Sequence, residues 1–290
     1  MIPPHAEPLP GLVVLGFGNL GSAIAEGAIR RRLVHPRSVL AVDVDPARRG
    51  HAERLGCRVA AVVEEIASGP PTLVSVKPQI WPEVAPMLAS ALPMPEGSDP
   101  GHSAPMVVSV MAGRSSASIH EALGGRAVVA RAMPNTPARI GLAITALAWP
   151  EGISEAQRRP VRSLLESVGE VVELPESLFH AVTAVSGSGP AYVFKFAEAM
   201  ERAAIELGIP PIVARHLVAD TVRGAGALLV EQDAEPSALR DAVTSRGGTT
   251  AAALEQFERW GLDPAVADAI RAAETRSREL SGDGTSTEPS

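Results

Sequence analysis

The segment from residue 16 to residue 43 constrains this chain more than any other. A short apolar run, Leu12–Leu15, leads into Gly-Phe-Gly-Asn-Leu-Gly at residues 16–21, and a second apolar run, Val39–Val42, ends at Asp43. In this order the first glycine permits a tight strand-to-helix turn, the second lets a pyrophosphate approach the backbone, and the third lets the helix pack on its strand. Asp43 follows at about the spacing of ~20 residues that is typical of a ribose-binding acid. The segment predicts a site for a nicotinamide or flavin dinucleotide; a purely structural glycine turn is the alternative.

The composition is that of an ordinary globular enzyme. The 290 residues are 46% hydrophobic and carry a net charge of −7, so we expect neither nucleic acid nor an anionic membrane surface as a partner. Cys57 is the only cysteine, which excludes an intrachain disulfide. Residues 1–10 contain no Lys or Arg, and no apolar run reaches the ~20 residues that span a bilayer. We therefore expect a cytoplasmic protein, and the scattered histidines give no support for a metal site.

The pattern of apolar residues changes along the chain. Up to Leu174, strand and helix signals alternate, which predicts an α/β domain with a mostly parallel sheet. Beyond it the strand signals stop. We expect a disordered N-terminus at 1–10, a dinucleotide-binding domain at 11–174, an all-helical domain at 175–280 and a disordered tail at 281–290. The segment Leu92–Pro105 is rich in Pro, Gly and Ser, which predicts a mobile surface loop.

Individual elements can be assigned within this pattern. Predicted strands include Leu73–Val76, Val107–Val110, Val128–Ala132 and Leu142–Leu147, with an edge strand at Val171-Val172. The predicted C-terminal helices are Pro190–Leu207, Pro211–Glu231, Pro236–Val243, Thr250–Trp260 and Pro264–Leu280, the last with Asp263 as its N-cap.

Two further segments lie at predicted strand ends, where open α/β sheets bind ligands. Val76-Lys77-Pro78-Gln79 contains one of only two lysines in the chain, although a solvated turn lysine is the alternative. In the run Arg131–Pro137, Asn135 and Thr136 could hold a carboxamide or a carboxylate, or they could simply cap the next turn.

Two other segments fall in the helical half. Small residues at Ser186–Tyr192 allow the close approach of a ligand, and helix packing explains them nearly as well. In Val243–Thr250, two glycines followed by hydroxyl residues at a helix start would present N–H groups and hydroxyls to an anion. A cap alone would not need the paired glycines, so we favour a ligand site there.

Taken together, these segments resemble the pyrroline-5-carboxylate reductase family over about Leu12 to Leu280. The resemblance implies a Rossmann-type, doubly wound N-terminal domain and an all-α C-terminal dimerisation domain with the imine site at the dimer interface. It also implies a homodimer, which in some members assembles into larger rings. The implied activity is NAD(P)H-dependent reduction of 1-pyrroline-5-carboxylate to L-proline, the last step of proline biosynthesis.

The spacing and the resemblance together give the expected site residues. The expected cofactor-binding residues are Gly16, Phe17, Gly18, Asn19, Leu20, Gly21, Asp43, Val76, Lys77, Pro78 and Asn135. The expected substrate-binding residues are Ser245, Gly247, Gly248, Thr249 and Thr250. By resemblance, the loop from 247 to 250 binds the substrate carboxylate, and the Thr250 hydroxyl touches the imine nitrogen as donor or relay.

The chain departs from the family pattern at Arg246, where relatives usually have proline. Arginine should loosen this loop and add a cation near the carboxylate-binding turn, which bears on substrate affinity more than on reaction class. Ser75 also stands where relatives often have alanine.

Two other functions are compatible with a dinucleotide-binding domain joined to a helical one. A β-hydroxyacid dehydrogenase would place a catalytic lysine four residues after a glycine and an asparagine four residues after that lysine. Here Lys195 lies six residues past Gly189 and position 199 is alanine, so the spacing argues against it. A dinucleotide-binding regulator without turnover is the second alternative.

Asp43 also predicts the preferred cofactor. A free carboxylate at this position would accept hydrogen bonds from both ribose hydroxyls of NADH and repel the 2′-phosphate of NADPH. Arg48 and Arg49 are the only nearby cations that could offset this repulsion. The sequence therefore predicts that both cofactors are used and that NADH is preferred.

Overall fold

The computed structural model describes residues 8–63, 70–93, 104–231 and 235–281. The chain divides into two compact units, one formed by residues 1–187 with 273–290 and the other by residues 188–272. The predicted domain boundary after Leu174 falls at the end of the last strand. The first unit extends further, because Phe179 is fully buried in it and Arg131 pairs with Glu176 at 2.9 Å.

The described strands of the first unit form one eight-stranded sheet in the order β3-β2-β1-β4-β5-β6-β7-β8. Its strands are β1 Leu12–Leu15, β2 Val39–Val42, β3 Arg58–Ala60, β4 Thr72–Val74, β5 Met106–Ser109, β6 Val128–Met133, β7 Ala143–Ala148 and β8 Gly169–Glu173. All neighbours are parallel except β6 and β7. The mostly parallel α/β sheet predicted from the sequence is confirmed, and β8 is an edge strand as expected.

Helices cover both faces of this sheet. They are α1 Asn19–Arg30, α2 Pro46–Arg54, α3 Trp81–Ala91, α4 Ser116–Ala122, α5 Glu155–Glu166 and α6 Phe179–Val182. A single turn of π-helix, Thr183–Gly187, follows α6 directly.

The core explains why the sheet is doubly wound. Successive strand residues point to opposite faces, and all four residues of β1 are buried. Leu12 and Val14 pack in a cluster with Ile24 of α1 and Leu164 of α5. Val13 and Leu15 pack in a separate cluster on the other face, with α3 and α4. Two apolar faces on one strand require a helical layer on each side.

The second unit is helical. Its elements are α7 Gly189–Glu206, α8 Pro211–Leu229, α9 Pro236–Ala242, α10 Thr249–Arg259 and the start of α11 Leu262–Ser281. These helices lie within one or two residues of the predicted ones. One detail was wrong: α11 begins at Leu262, so Asp263 lies in its first turn and is not its N-cap.

The predicted disordered segments are only partly described. Leu9 is 6% exposed, and its N–H donates to the carbonyl of Leu33 at 2.6 Å, so ordered structure already includes this residue of the predicted disordered N-terminus. Ser281 of the predicted tail ends α11. Residues 1–7 and 282–290, and 94–103 of the predicted mobile loop, lie outside the described residues.

Candidate functional site

The glycine-rich turn lies at the carboxyl end of β1, where the strand order reverses between β1 and β4. Gly16 has φ +92°, a conformation that side chains disfavour, and its N–H donates to Val42 of β2 at 2.8 Å. An ideal Cβ on Gly16 would lie 2.7 Å from the carbonyl oxygen of Ser75. Glycine is required here because the turn passes directly against the segment that follows β4.

The other two glycines lie at the start of α1. Gly18 is the N-cap of α1, and no side chain caps this helix end, so the N–H groups of its first turn face outward without a side-chain acceptor. An ideal Cβ on Gly21 would overlap the carbonyl oxygen of Gly16 and lie 3.1 Å from Cγ1 of Val14. The turn therefore provides a backbone cradle that suits the pyrophosphate of a dinucleotide.

Phe17, Asn19 and Leu20 complete this turn and differ in exposure. Phe17 is 2% exposed, and its ring meets the edge of His51 with centroids 5.9 Å apart. Asn19 is exposed and Leu20 is half-buried against the core. The Phe17 ring is therefore packed in the interior, and a ligand would meet this turn mainly through its backbone.

Asp43 lies at the end of β2 and is 7% exposed. Its Oδ2 accepts from the N–H of Phe17 at 2.8 Å and from Nη1 of Arg48 at 3.3 Å, and its Oδ1 accepts from the N–H of Asp45 at 2.9 Å. The carboxylate thus binds the glycine-rich turn from inside the protein.

Two arginines of α2 surround this carboxylate in different ways. The Arg48 side chain is 47% exposed, and its guanidinium pairs with both Asp43 and Asp45. Arg49 instead donates Nη1 to the carbonyl oxygens of Asp43 and Val44, at 2.7 and 2.9 Å.

The predicted strand 73–76 ends earlier in the structure, at Val74, so Val76 and Lys77 lie in the loop that follows β4 and Pro78 begins a short 3-10 helix. The N–H of Ser75 donates to Leu15 at 2.8 Å, which fixes this loop beside the glycine-rich turn. Lys77 is exposed, and Arg114 donates to the carbonyl oxygen of Pro78 at 3.4 Å. The two predicted segments therefore meet at one edge of the sheet.

Asn135 lies just past the end of β6 at the same edge of the sheet. Its Oδ1 accepts from the N–H of Ile144 at 3.1 Å, and its Nδ2 donates to the carbonyl oxygen of Ser186 at 3.2 Å. An ideal Cβ on Gly187 would lie 3.0 Å from Cε of Met133. Asn135 thus joins the β6 loop to the π-helical turn, and one N–H and one lone pair of its amide remain for a ligand.

Sequence reasoning missed the buried contacts of Arg131. This side chain in β6 is 5% exposed, pairs with Glu176 at 2.9 Å and lies 4.8 Å from the centroid of the Phe179 ring. Glu176 also accepts from the N–H and the hydroxyl of Ser116, at the start of α4. Arg131 lies inside a predicted motif, but Glu176 is forty-five positions further along the chain, so no local signal indicated the pairing.

The loop Val243–Gly248 lies between α9 and α10, as predicted, and belongs to the second unit. Gly247 has φ +71°, and the N–H of Gly248 donates to Ser245 at 3.0 Å. An ideal Cβ on Gly248 would overlap the Ser245 hydroxyl, so both glycines are needed by the turn itself. Gly248 is the N-cap of α10, and no side chain caps it.

The hydroxyl residues at this helix start differ in exposure. Thr249 is exposed and Thr250 is half-buried. Arg246 is exposed at the tip of the turn. This helix start presents backbone N–H groups, a threonine hydroxyl and a cation, which together suit a small carboxylate.

The described parts of the chain contain neither a cluster of metal-ligating side chains nor a long apolar helix. Among those residues, no three His, Cys, Asp or Glu side chains are grouped so that they could hold a metal ion. Within the same ranges, no helix combines the length and apolarity needed to cross a membrane.

Comparison with known proteins identifies relatives of both halves. Residues 176–280 match the family described as pyrroline-5-carboxylate reductase dimerisation, and residues 11–113 match the family described as NADP oxidoreductase, coenzyme F420-dependent. A pyrroline-5-carboxylate reductase of Synechocystis is 35% identical over 271 residues, which cover 93% of this chain and 97% of the relative. The enzyme of that name from Mycobacterium tuberculosis strain H37Rv is 34% identical and is covered over 96% of its length.

Solved structures agree over nearly the whole chain. A pyrroline-5-carboxylate reductase from Coxiella burnetii superposes with a TM-score of 0.83 at 29% identity, covering 94% of this chain and 98% of that one. A Plasmodium falciparum pyrroline carboxylate reductase with NADP bound has the same fold, with a TM-score of 0.79 at 24% identity and coverage of 95% and 99%.

Proposed function

This chain belongs to the pyrroline-5-carboxylate reductase family, and from that premise we propose its reaction and the roles of its residues. It is an NAD(P)H-dependent oxidoreductase that reduces the C=N bond of 1-pyrroline-5-carboxylate to give L-proline, in proline biosynthesis. The observation that carries this function is the identity of 35% with a reductase of this name over almost the full length of both chains.

This reaction does not require a strong acid or base from the protein. When bound, the dihydronicotinamide supplies a hydride to the imine carbon. The ring nitrogen takes up one proton, so the reaction consumes one reduced cofactor and one proton for each proline formed. An imine nitrogen is more basic than a carbonyl oxygen, and no strong catalytic acid is required. The protein accelerates the reaction mainly by positioning its two substrates.

In our proposal the first unit binds the cofactor. The N–H groups at Gly18, Asn19 and Leu20 bind the pyrophosphate, because this end of α1 carries no side-chain cap. The segment Val76–Pro78 and the amide of Asn135 line the nicotinamide side. Both lie at the carboxyl edge of the sheet, where ligands of doubly wound folds bind.

In our proposal the second unit binds the substrate. We assign the substrate carboxylate to the turn Ser245–Thr249, whose Gly248 begins α10 without a side-chain cap. The hydroxyl of Thr250 donates to the imine nitrogen or relays its proton. Its half-buried position in the first turn of α10, two residues after the glycine pair, supports this role.

The match to a dimerisation family indicates a homodimer. In the single chain, the second unit leaves large apolar side chains exposed on several helices. Those at least 45% exposed are Val193, Phe194, Phe196, Leu207, Ile212, Leu217, Leu228, Leu229, Val230, Val243, Trp260 and Val266. Exposed apolar surface of this extent is typical of an obligate interface. We propose that this unit forms the dimer and that any higher oligomer is built from such dimers.

The β-hydroxyacid dehydrogenase alternative has no support in the structure. Lys195 lies within α7, its side chain is 69% exposed, and it pairs with Glu198 at 3.2 Å. We also propose a cytoplasmic location. The free, buried Cys57 is consistent with a reducing compartment.

The direct test is oxidation of NADH or NADPH at 340 nm on addition of 1-pyrroline-5-carboxylate. We expect substrate-dependent loss of absorbance and formation of proline. If neither cofactor is oxidised by a folded protein, the enzyme function is overturned in favour of a dinucleotide-binding regulator.

A further inference from the structure

Both oxygens of the Asp43 carboxylate already accept hydrogen bonds from the protein itself. They accept three hydrogen bonds, from the backbone of Phe17, the backbone of Asp45 and the guanidinium of Arg48. The residue is 7% exposed. A carboxylate that read the ribose hydroxyls would have to give up partners that hold the glycine-rich turn in place.

Phe17 shows what this carboxylate does instead. The N–H of Phe17 points inward to Asp43 at 2.8 Å, while the neighbouring Gly16 binds Val42 of the same strand end. The turn is therefore fixed to the end of β2 at two successive N–H groups. Fixing both leaves the next N–H groups, at the start of α1, free to face a phosphate.

The guanidinium of Arg48 lies where a residue that binds the adenosine ribose would lie. Its Nη1 lies 3.3 Å from Oδ2 of Asp43 and would lie 3.5 Å from a Cβ on Gly18. The cation therefore lies between the end of β2 and the glycine-rich turn. In a doubly wound fold this is where the adenosine ribose lies. Almost half of the Arg48 side chain is exposed, so its guanidinium can bind a ligand as well as the two aspartates.

Arg49 differs from its neighbour in this respect. It donates to the carbonyl oxygens of Asp43 and Val44 at 2.7 and 2.9 Å, so it stabilises the turn between β2 and α2. Of the two cations, Arg48 is the one that borders the glycine-rich turn.

We propose that Asp43 is a positioning residue for the phosphate-binding turn and that Arg48 is the residue that selects the cofactor, by binding the 2′-phosphate of an adenosine ribose. This inference rests on the proposed function, and it reverses the preference for NADH predicted from the sequence. Asp43, neutralised by Arg48, does not repel a 2′-phosphate as a free carboxylate would. A guanidinium binds a phosphate with parallel N–H donors, which makes arginine well suited to this task.

The test separates binding from turnover by using probes that lack nicotinamide. Isothermal titration would compare 2′-phospho-ADP-ribose with ADP-ribose, first on the unmodified protein. We expect the phosphorylated probe to bind at least tenfold more tightly. Equal affinities, or tighter binding of ADP-ribose, would overturn the proposal whatever the outcome of the reductase assay.

Three variants then assign the roles. Arg48→Gln should bring the ratio of the two affinities close to one with little change for ADP-ribose. Arg49→Gln, which removes the same charge one residue away, should keep the ratio. Asp43→Asn should weaken both probes by a similar factor, because an amide cannot accept from Phe17 and Asp45 at once without turning an N–H toward one of them.

Circular dichroism and a urea titration would establish that each variant is folded. Selective loss of ADP-ribose binding in Asp43→Asn would show that Asp43 reads the ribose, and loss of the ratio in Arg49→Gln alone would assign the phosphate to Arg49. Either result contradicts the proposal. Neither depends on the imine substrate, so the proposed reaction would stand or fall separately.

Discussion

Gly21 lies so close to Gly16 that an ideal Cβ on Gly21 would overlap the Gly16 carbonyl oxygen. The start of α1 is thereby packed directly on the turn that precedes it. The position of the N–H groups at the start of α1 depends on this contact, because the turn and the helix cannot separate without moving them.

Gly21→Ala should therefore destabilise the fold by about 3 kcal/mol, on the scale of overpacking a buried site. Urea unfolding would measure the loss. Gly50→Ala in α2 is the matched control, since the nearest atom to its ideal Cβ is the flexible end of Arg54 at 3.6 Å. We expect this control to be neutral or stabilising by up to ~1 kcal/mol. Equal stability of the two variants would contradict the packing argument.

Thr250→Ala tests the proposed contact with the imine. Removing one well-placed donor should cost roughly 2 to 3 kcal/mol of transition-state stabilisation, which is measured as a lower kcat/KM for 1-pyrroline-5-carboxylate. The variant should still fold. Thr250→Ser keeps the hydroxyl and should recover most of the activity. Steady-state kinetics at saturating cofactor measure both effects, and an unchanged kcat/KM in the alanine variant would remove Thr250 from the mechanism.

Glu176→Gln tests the pairing with Arg131. The guanidinium is buried and would lose its ionised partner, so we expect the free energy of unfolding to fall by about 2 kcal/mol. Glu170→Gln removes a charge from the exposed surface of β8 and should change stability by less than ~0.5 kcal/mol. Chemical denaturation of the two proteins under identical conditions would compare them, and a loss no larger than the control's would argue against a stabilising pair.

The thiol of Cys57 should be inert in the folded protein. Burial, with a smaller contribution from Glu26, raises the pKa of this thiol from 9.0 to about 11. The thiolate is the reactive form, so a thiol reagent at pH 8 should react slowly until urea unfolds the chain. Because Cys57 is the only cysteine, the absorbance change of a chromogenic thiol reagent reports this site alone.

The same shift has a consequence for stability. A thiol with a raised pKa favours the folded state fully below pH 9, and this contribution is lost as the pH rises toward 11. Fast labelling of the native protein at pH 8 would mean that the site opens readily.

The exposed apolar side chains of the second unit predict an obligate dimer. Light scattering at micromolar concentration should give at least twice the chain mass of 30.1 kDa, with no monomer. Phe194→Glu, at a side chain 66% exposed in the single chain, should shift the protein toward monomer or aggregate. A monodisperse and fully active wild-type monomer would contradict the proposed interface.

Much of this fold could be predicted from sequence because its signals are local. The positive φ of Gly16 and the close approach of Gly21 to the Gly16 carbonyl are needs that arise within six residues. The alternation of short apolar runs with helical segments likewise predicts a parallel sheet. The C-terminal helices were located to within one or two residues for the same reason, since proline and glycine mark helix ends.

Contacts between distant residues were decided by the tertiary structure. The sequence places Asp43 at the end of β2, but only folding brings the N–H of Phe17 to its carboxylate, twenty-six residues away in the chain. Asn135 likewise donates to the carbonyl oxygen of Ser186, and Arg131 pairs with Glu176. Both contacts join residues more than forty positions apart. A spacing rule can locate a charged group, but the hydrogen bonds that the group has left for a ligand depend on which partners the fold has already given it.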